Sequence, residues 1–541
     1  MKTPDAHALP PTDSSPRDGD ASILAPLRRP LFCALWAAGA VSSMGTWIQN
    51  VGATWLIADS SASSAVVSLI QAAMSLPVVF LALPAGALAD IVDRRRLLIG
   101  AQAWMLVVAA LLTALTFLGL ATPSVLLVAT FLLGIGAALN APAWQAIVPE
   151  LVPRSEVPAA IALNSASMNL GRAVGPALGG LLVALSGAGA AFLINALSFV
   201  GLLVVLVQWQ RPHEQSVLPA ERLSGAMRAG MRFVSHSPSF RSILLRTAVF
   251  SIGGSGLWAL LPVVTRTIEG TGPGTYGVLL ACLGLGAVVG LTLLHFATRQ
   301  LGPGALVVLG SIAFALSTLV LAWVPVIALW CVVLLPAGSA WLVVLTRLSS
   351  SAQAVAPRWV RARAMSVYLL FFFGGMATGS VLWGMLADQI GTHGALTAAA
   401  AWTAIGSILV ASFPLPTVAV DHEPIKAWRE PEALPAVMSR DTPCVVTVEY
   451  QIDPDRADEF LQAILPMQEA RLRSGAIHWD VFRDTADAGR FFEVFVDDSW
   501  IEHLRHHQRV SQADRDLQLR LRTFQRDGEP PKVTHLVAAS R

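Results

Sequence analysis

Between about Leu31 and Phe413 the chain is a succession of apolar runs broken by short polar turns. The runs are 31–58, 65–88, 97–119, 123–148, 159–186, 189–209, 242–265, 275–297, 304–323, 325–347, 363–387 and 394–414. Each approaches the roughly 20 apolar residues that a helix needs to cross a bilayer. The turns alternate in charge. One set carries Arg28 and Arg29, then Arg94 to Arg96, then Arg154, then Arg211, Arg222, Arg228, Arg232 and Arg241, then Arg299, then Arg358, Arg361 and Arg363. The other set holds Asp59, the uncharged stretches ATPS and SGAGA, and Arg266 with Glu269. The positive-inside bias puts the Arg-rich set, and with it both termini, on the cytoplasmic side.

After Pro416 the pattern changes from runs to alternation. Residues 417–441 form a charged, Pro-containing linker, and 442–541 read as soluble. Period-two segments occur at Cys444–Ile452, Ile477–Asp484, Arg490–Asp498 and Lys532–Ala538, with helical patterns at Asp455–Arg473 and Ser499–Phe524. Strand, helix, strand, strand, helix, strand is the ferredoxin-like order. The predicted fold class is an all-α polytopic membrane protein of twelve helices in two six-helix halves, followed by a ferredoxin-like α+β domain. Its parts are a disordered cytoplasmic tail at 1–26, a first half at 27–209, an amphipathic cytoplasmic linker at 210–240, a second half at 241–416, the linker at 417–441 and the domain at 442–541.

An internal repeat supports the two halves. Shifted by 204 residues, PRSEVPAAIALNSASMNLGRAVGPALGG from Pro153 meets PRWVRARAMSVYLLFFFGGMATGSVLWG from Pro357 without a gap. Pro153, Arg154, Ala160, Gly171, Gly175 and Gly180 find their own residue type again, as duplicated transporters do.

Composition agrees: 54% hydrophobic and 13% charged residues with mean hydropathy +0.61 describe a membrane protein. A net charge of +2, with arginines scattered between runs, gives no footprint for nucleic acid. The four cysteines have no paired spacing, so neither disulfide nor zinc is expected. The polar N-terminus lacks a basic region leading into a short apolar core, so no cleaved signal peptide is expected.

Two stretches carry the functional signal. In GALADIVDRRRLL, Gly86 permits close helix approach, Asp90 ends a helix, and Arg94 and Arg95 are placed to pair with acids or to cap neighbouring helices. In NLGRAVGPALGG, Gly171, Gly175 and Gly179 recur every four residues as a smooth packing face, joined by Gly180, while Pro176 frees a carbonyl and bends the helix. Arg172 is a charge within an apolar span, costly unless it faces a cavity or a partner. Gln49, Asn50, Asn140, Asn169 and Arg172 are the cavity candidates, with Asn164, Asn195 and Arg246 as further polar positions. Each is equally a candidate for an interhelical hydrogen bond. Trp47, Trp55, Trp144, Trp258 and Trp341 are placed to line a cavity or an interface. HLRHH puts His503, His506 and His507 on one helix side. No thiol or acid cluster accompanies them, so they read as a solvated helix face and not as metal ligands. GLGAVVG, Gly284 to Gly290, is no nucleotide fingerprint.

GALADIVDRRRLL resembles the signature loop of the major facilitator superfamily, GxLaDrxGrk, through Gly86, Leu88, Ala89, Asp90, Arg94 and Arg95. Asp93 stands where that pattern has its second glycine, and the counterpart in the second half has Leu294 for the aspartate, so the implied gating clasp is asymmetric. GRAVGPALGG matches the GxxxGPxxGG pattern of the superfamily's antiporters on the fifth helix. The fourth-helix antiporter pattern has Thr130 in place of its Arg. DDSWIEHLRHHQR and the strand order resemble domains of the antibiotic-biosynthesis-monooxygenase type, which pair as dimers. The whole looks like the transmembrane secretion effector branch, which includes enterobactin exporters. The resemblance implies a bacterial inner-membrane exporter of siderophores or drug-like molecules, working by alternating access with proton antiport. It implies no cofactor, partners limited to a small-molecule substrate and the lipid bilayer, and a homodimer through the C-terminal domain. The alternative is a membrane-tethered oxidoreductase with the tail as the catalytic part.

Overall fold

The computed structural model describes residues 24–61, 63–209, 230–357, 359–413, 415, 442–507, 510–526 and 528–538, without the side chains of 83, 87, 89–91, 154, 291 and 293–299. The predicted tail up to residue 23, most of the amphipathic linker, the linker at 417–441 and the side chains of Asp90 and Leu294 lie outside the described residues. Leu24 to Pro26, within the predicted disordered tail, is described, and Ala25–Arg28 forms one 3-10 turn with Pro26 buried.

Among the described residues ten helices are long and apolar enough to cross a membrane. They are α1 Pro30–Ser60, α2 Ser64–Ile91, α3 Arg94–Phe117, α4 Pro123–Ile147, α5 Val157–Gln208, α6 Pro238–Thr267, α7 Pro273–Gln300, α8 Pro303–Trp323, α9 Ile327–Val355 and α10 Arg361–Leu409. Helix starts follow the local chemistry: Ser63, Asp93 and Thr122 accept hydrogen bonds from backbone N–H groups at the first turns of α2, α3 and α4.

Helices α5 and α10 are 52 and 49 residues long, about 75 Å at 1.5 Å per residue, more than twice the apolar thickness of a bilayer. Neither is continuous. Gly187 breaks α5 at φ 77°, ψ 170°, and Gly391 breaks α10 at φ 81°, ψ 160°. Only glycine takes this backbone without a Cβ penalty. The sequence expectation of separate runs at 159–186 and 189–209, and at 363–387 and 394–414, agrees with these positions. Gly187 and Gly391 also stand 204 residues apart, the shift that superposes the two internal repeats.

The glycine rows pack as close contacts require. A Cβ on Gly171 would lie 2.7 Å from Ser43 Oγ, on Gly175 2.6 Å from Trp47 Cβ, and on Gly179 2.9 Å from Ile48 Cα, so this face of α5 seats on α1. In the repeat, Gly375 and Gly379 seat on α6 against Ser251 and Ser255. The last glycine of each row crosses over. Gly180 meets Gly277 of α7, whose Cα would be 2.8 Å from an added Cβ, and Gly384 meets Ala65 and Ser68 of α2.

The tail is an antiparallel sheet ordered β2-β3-β1-β4, with β1 Cys444–Gln451, β2 His478–Arg483, β3 Arg490–Asp497 and β4 Lys532–Val537. Three helices accompany it: α11 Ala457–Ser474, α12 Trp500–His507 and α13 Gln512–Arg522. The single helix expected over Ser499–Phe524 is therefore two. The cause is legible afterwards as a capping box at Ser511 and Asp514, which starts α13 afresh. One face of β1, with Cys444, Val446, Val448 and Tyr450, is buried with Phe460, Ile464 and Met467 of α11. Beneath them the buried carboxylate of Glu493 accepts from Arg471 Nε at 2.8 Å, Trp479 Nε1 at 3.1 Å and Tyr450 OH at 3.1 Å, so its charge is paired and its lone pairs used.

Candidate transport site

Helix α5 is aimed by its glycine row. Seating Gly171, Gly175 and Gly179 on α1 turns Arg172 toward Trp47, whose ring centroid is 5.8 Å from the guanidinium carbon. The contact is a cation–π pair, which gains strength where water is excluded. Arg172, Trp47 and Pro176 line a small cavity, and Trp258, Leu280, Leu283, Ala287 and Trp341 line it from α6, α7 and α9. Trp341 is also packed against Trp258, with centroids 5.6 Å apart. The first repeat thus contributes a cation and an aromatic face, and the second an aromatic and aliphatic wall. Among the described residues no carboxylate pairs with Arg172.

Other sequence candidates fall elsewhere. Gln49 is buried and accepts from Asn195 Nδ2 at 2.6 Å between α1 and the second segment of α5. Asn140 accepts from Gln102 at 3.0 Å, joining α3 to α4. Asn169 donates to Ser165 O one turn back in its own helix at 2.9 Å. Asn164 accepts from Trp144 Nε1 at 2.9 Å. Arg246 donates to Phe413 O at 2.7 Å and Ala411 O at 3.2 Å, satisfying carbonyls at the end of α10. For Gln49 and Asn140, the interhelical hydrogen bond is the reading that the geometry selects. Asn50 is half-buried on α1. Trp55 packs against Tyr276, with centroids 6.1 Å apart, away from the cavity.

At the α2–α3 turn Asp93 caps α3 by accepting from Arg96 N at 2.9 Å. Arg94 pairs with Glu150 at 2.5 Å, and Arg95 donates to Leu206 O at 2.9 Å and Val207 O at 2.7 Å. The arginines therefore pair with an acid and cap a neighbouring helix, tying the turn to the ends of α4 and α5. Gly86 faces α10, where a Cβ would come 3.8 Å from Ser366 Oγ. Nearby, Arg29 makes a two-toothed pair with Glu156, both bonds 2.8 Å, joining the start of α1 to the start of α5.

The tail holds a separate cavity of about 310 Å³, lined in part by Tyr450, Arg471, His503, His506, His507 and His535. His503 and His506 are buried, not a solvated face, because α12 lies against the sheet and turns them inward. Their Nδ1 atoms sit 2.8 and 3.1 Å from the two oxygens of Asp497. Burial alone would push the Asp497 carboxyl up, but the two imidazoles overcome it and hold it below the ordinary carboxylate range. Burial among the other imidazoles pushes His507 down to about 3.

A family model described as transmembrane secretion effector matches residues 21–541. The chain belongs to the transmembrane secretion effector family. It is a major facilitator superfamily transporter. The staphyloferrin A transporter of Staphylococcus aureus (strain NCTC 8325 / PS 47) is 24% identical over 352 residues, 64% of this chain and 87% of that protein. The multidrug efflux pump Tap of Mycolicibacterium fortuitum is 26% identical over 379 residues, 68% of this chain and 91% of that one. In fold, the chain resembles a bacterial homolog of the human lysosomal transporter Spinster with a TM-score of 0.57 at 15% identity, covering 73% of this chain and 97% of that one. The family and these relatives are transporters and not enzymes, so the tethered-oxidoreductase reading finds no support.

Proposed function

We propose that this secretion effector exports a small organic molecule, siderophore or drug-like, by alternating access between two six-helix halves at 27–209 and 241–416, with proton antiport as the drive. The observation that carries the reading is the cavity between the repeats, where Arg172 and Trp47 face Trp258 and Trp341. A cation beside aromatic walls suits a flat or anionic organic substrate, and the cavity, about 10 Å³ as it stands, would widen to admit one as the halves rock. Relatives named for a siderophore and for multidrug efflux support both substrate readings.

Counting α5 and α10 as two crossings each gives twelve spans, with the tail at 1–26 and the linkers at 210–240 and 417–441 on the inner face of the bacterial inner membrane. The Arg-rich turns then lie inside. Polar ties between the halves gather at the opposite end. Asp388 of α10 accepts from Ser63 Oγ at 2.6 Å and Ser64 N at 2.7 Å at the start of α2, and Arg266 of α6 donates to Ala58 O and to Ser61 O at 2.9 Å. With Gly180 against Gly277, this supports an outer side that is closed and a cavity that opens inward. Gly86, Asp90, Asp93, Arg94 and Arg95 would set the inner rim, holding the α2–α3 turn as one body with α4 and α5 while the halves rock.

The domain at 442–541 is ferredoxin-like in its strand order. The sheet face opposite its helices carries exposed Phe482 and Leu536 beside half-buried Val445, Val494 and Val496, which supports pairing of two chains through that face. Transport into inverted membrane vesicles under an imposed pH gradient tests the reading. Substrate should accumulate with the gradient and not without it, and a deletion strain should retain the substrate inside. Accumulation that ignores the gradient would remove proton antiport.

A further inference from the structure

Three histidine rings from two distant segments converge at the tail cavity. Ring nitrogens of His503 and His507 on α12 and of His535 on β4 all lie within 4.8 Å of one another. The ring centroids of His503 and His507 are 4.5 Å apart, and those of His503 and His535 are 4.8 Å apart. Nε2 of His503 and Nε2 of His535 are buried without a hydrogen-bond partner. Orphaned polar atoms of this kind are rare in folded proteins, because each forfeits its hydration for nothing.

The other nitrogen of His503 is engaged with Asp497 at 2.8 Å. A carboxylate on the far side of an imidazole fixes the tautomer that leaves Nε2 as a lone-pair donor, the arrangement found behind metal-ligating histidines. Tetrahedral zinc, with Zn–N of roughly 2.0–2.1 Å, wants its nitrogens about 3.4 Å apart. The present span of up to 4.8 Å is wider than that, so the rings must draw in as the ion binds. Nearby positive charge is partly cancelled, since Arg471 is bonded to the buried Glu493. Three imidazoles favour zinc and its first-row neighbours over magnesium or calcium.

We propose that His503, His507 and His535 bind one divalent first-row transition-metal ion, with Asp497 positioning His503 and a fourth coordination place open to the tail cavity. The site stands independently of the substrate and direction of transport.

The test uses the full chain, purified in detergent without a histidine tag. Zn²⁺ is followed by equilibrium dialysis, and Co²⁺ by the visible absorption of a tetrahedral nitrogen site. One ion per chain is expected. His507→Ala and His535→Ala should each weaken binding more than about tenfold, and Asp497→Asn should weaken it roughly 10–100-fold with the stoichiometry retained. His478→Ala, at an exposed position of β2, should change nothing. Zn²⁺ should also raise the unfolding temperature of the wild-type full chain and fail to raise that of His535→Asn, which removes the ring nitrogens and keeps a polar side chain. Absence of stoichiometric binding by the wild type would overturn the proposal. So would unchanged affinity in His507→Ala and His535→Asn chains whose circular dichroism shows a folded tail.

Discussion

The two repeats of the membrane body share a backbone plan and differ in chemistry. Gly171, Gly175 and Gly180 on α5 recur as Gly375, Gly379 and Gly384 on α10, each row seated on the first helix of its own repeat and crossing to the other at its last glycine. Gly187 and Gly391 break both long helices in the same left-handed conformation. Yet the register position of Arg172 is occupied in the second repeat by Met376, which is buried in the core. Glycine rows are thus scaffold, because any Cβ would force the helices apart, whereas the cation is present in one repeat alone.

The largest effect is expected at the asymmetric residue. Arg172→Ala should lower gradient-driven export to below about one tenth of wild type, since a charged interaction of roughly 1.5–3 kcal/mol is lost, while a change at the matching place, Met376→Leu, should leave it near normal. Equal transport by Arg172→Ala and wild type would end the case for that residue.

Next come the crossing glycines. Gly180→Val drives side-chain atoms into the backbone of Pro273 and Gly277, and Gly384→Val into Ser68 and Ala65, at a cost of about 1–3 kcal/mol in the outward-closed state proposed above. Cysteine accessibility from outside should rise in both variants, and by similar amounts if the repeats are equivalent. Smaller again is the strain at the helix breaks. Gly187→Ala and Gly391→Ala, each at positive φ with open space beside the Cβ, should cost about 1–2 kcal/mol of stability with export retained. A lower unfolding temperature in detergent would register it. The smallest effect belongs to the α2–α3 turn: a double-mutant cycle on Arg94 and Glu150, both partly exposed, should give a coupling of about 0.5 kcal/mol. A coupling near zero would make the α2–α3 turn an anchor by charge alone.

Much of this was legible beforehand. The apolar runs located the helices, including the two interruptions inside α5 and α10, because a bilayer sets a length that composition must meet. NLGRAVGPALGG announced a packing face through its spacing, and that face is on α1. The alternating segments after Pro416 placed all four strands within a residue or two, because burial of one sheet face imposes a period of two. Sequence also marked Arg172 as a charge in need of a setting.

The setting itself came from tertiary structure. Gln49, Asn140 and Arg172 look alike in sequence, each a polar residue in an apolar helix. Only the rotation of each helix about its neighbours decided that Gln49 meets Asn195, that Asn140 meets Gln102 and that Arg172 meets Trp47. The histidines show the same limit. HLRHH alone suggests a wetted helix face, whereas the sheet order β2-β3-β1-β4 sets His535 and Asp497 on strands flanking β1, and α12 lies across them. Periodicity determines which residues form an element and which face is apolar, because burial acts on every residue of that face alike. Which distant polar group completes a site depends on a few specific contacts between elements, and those exist only once the chain has folded.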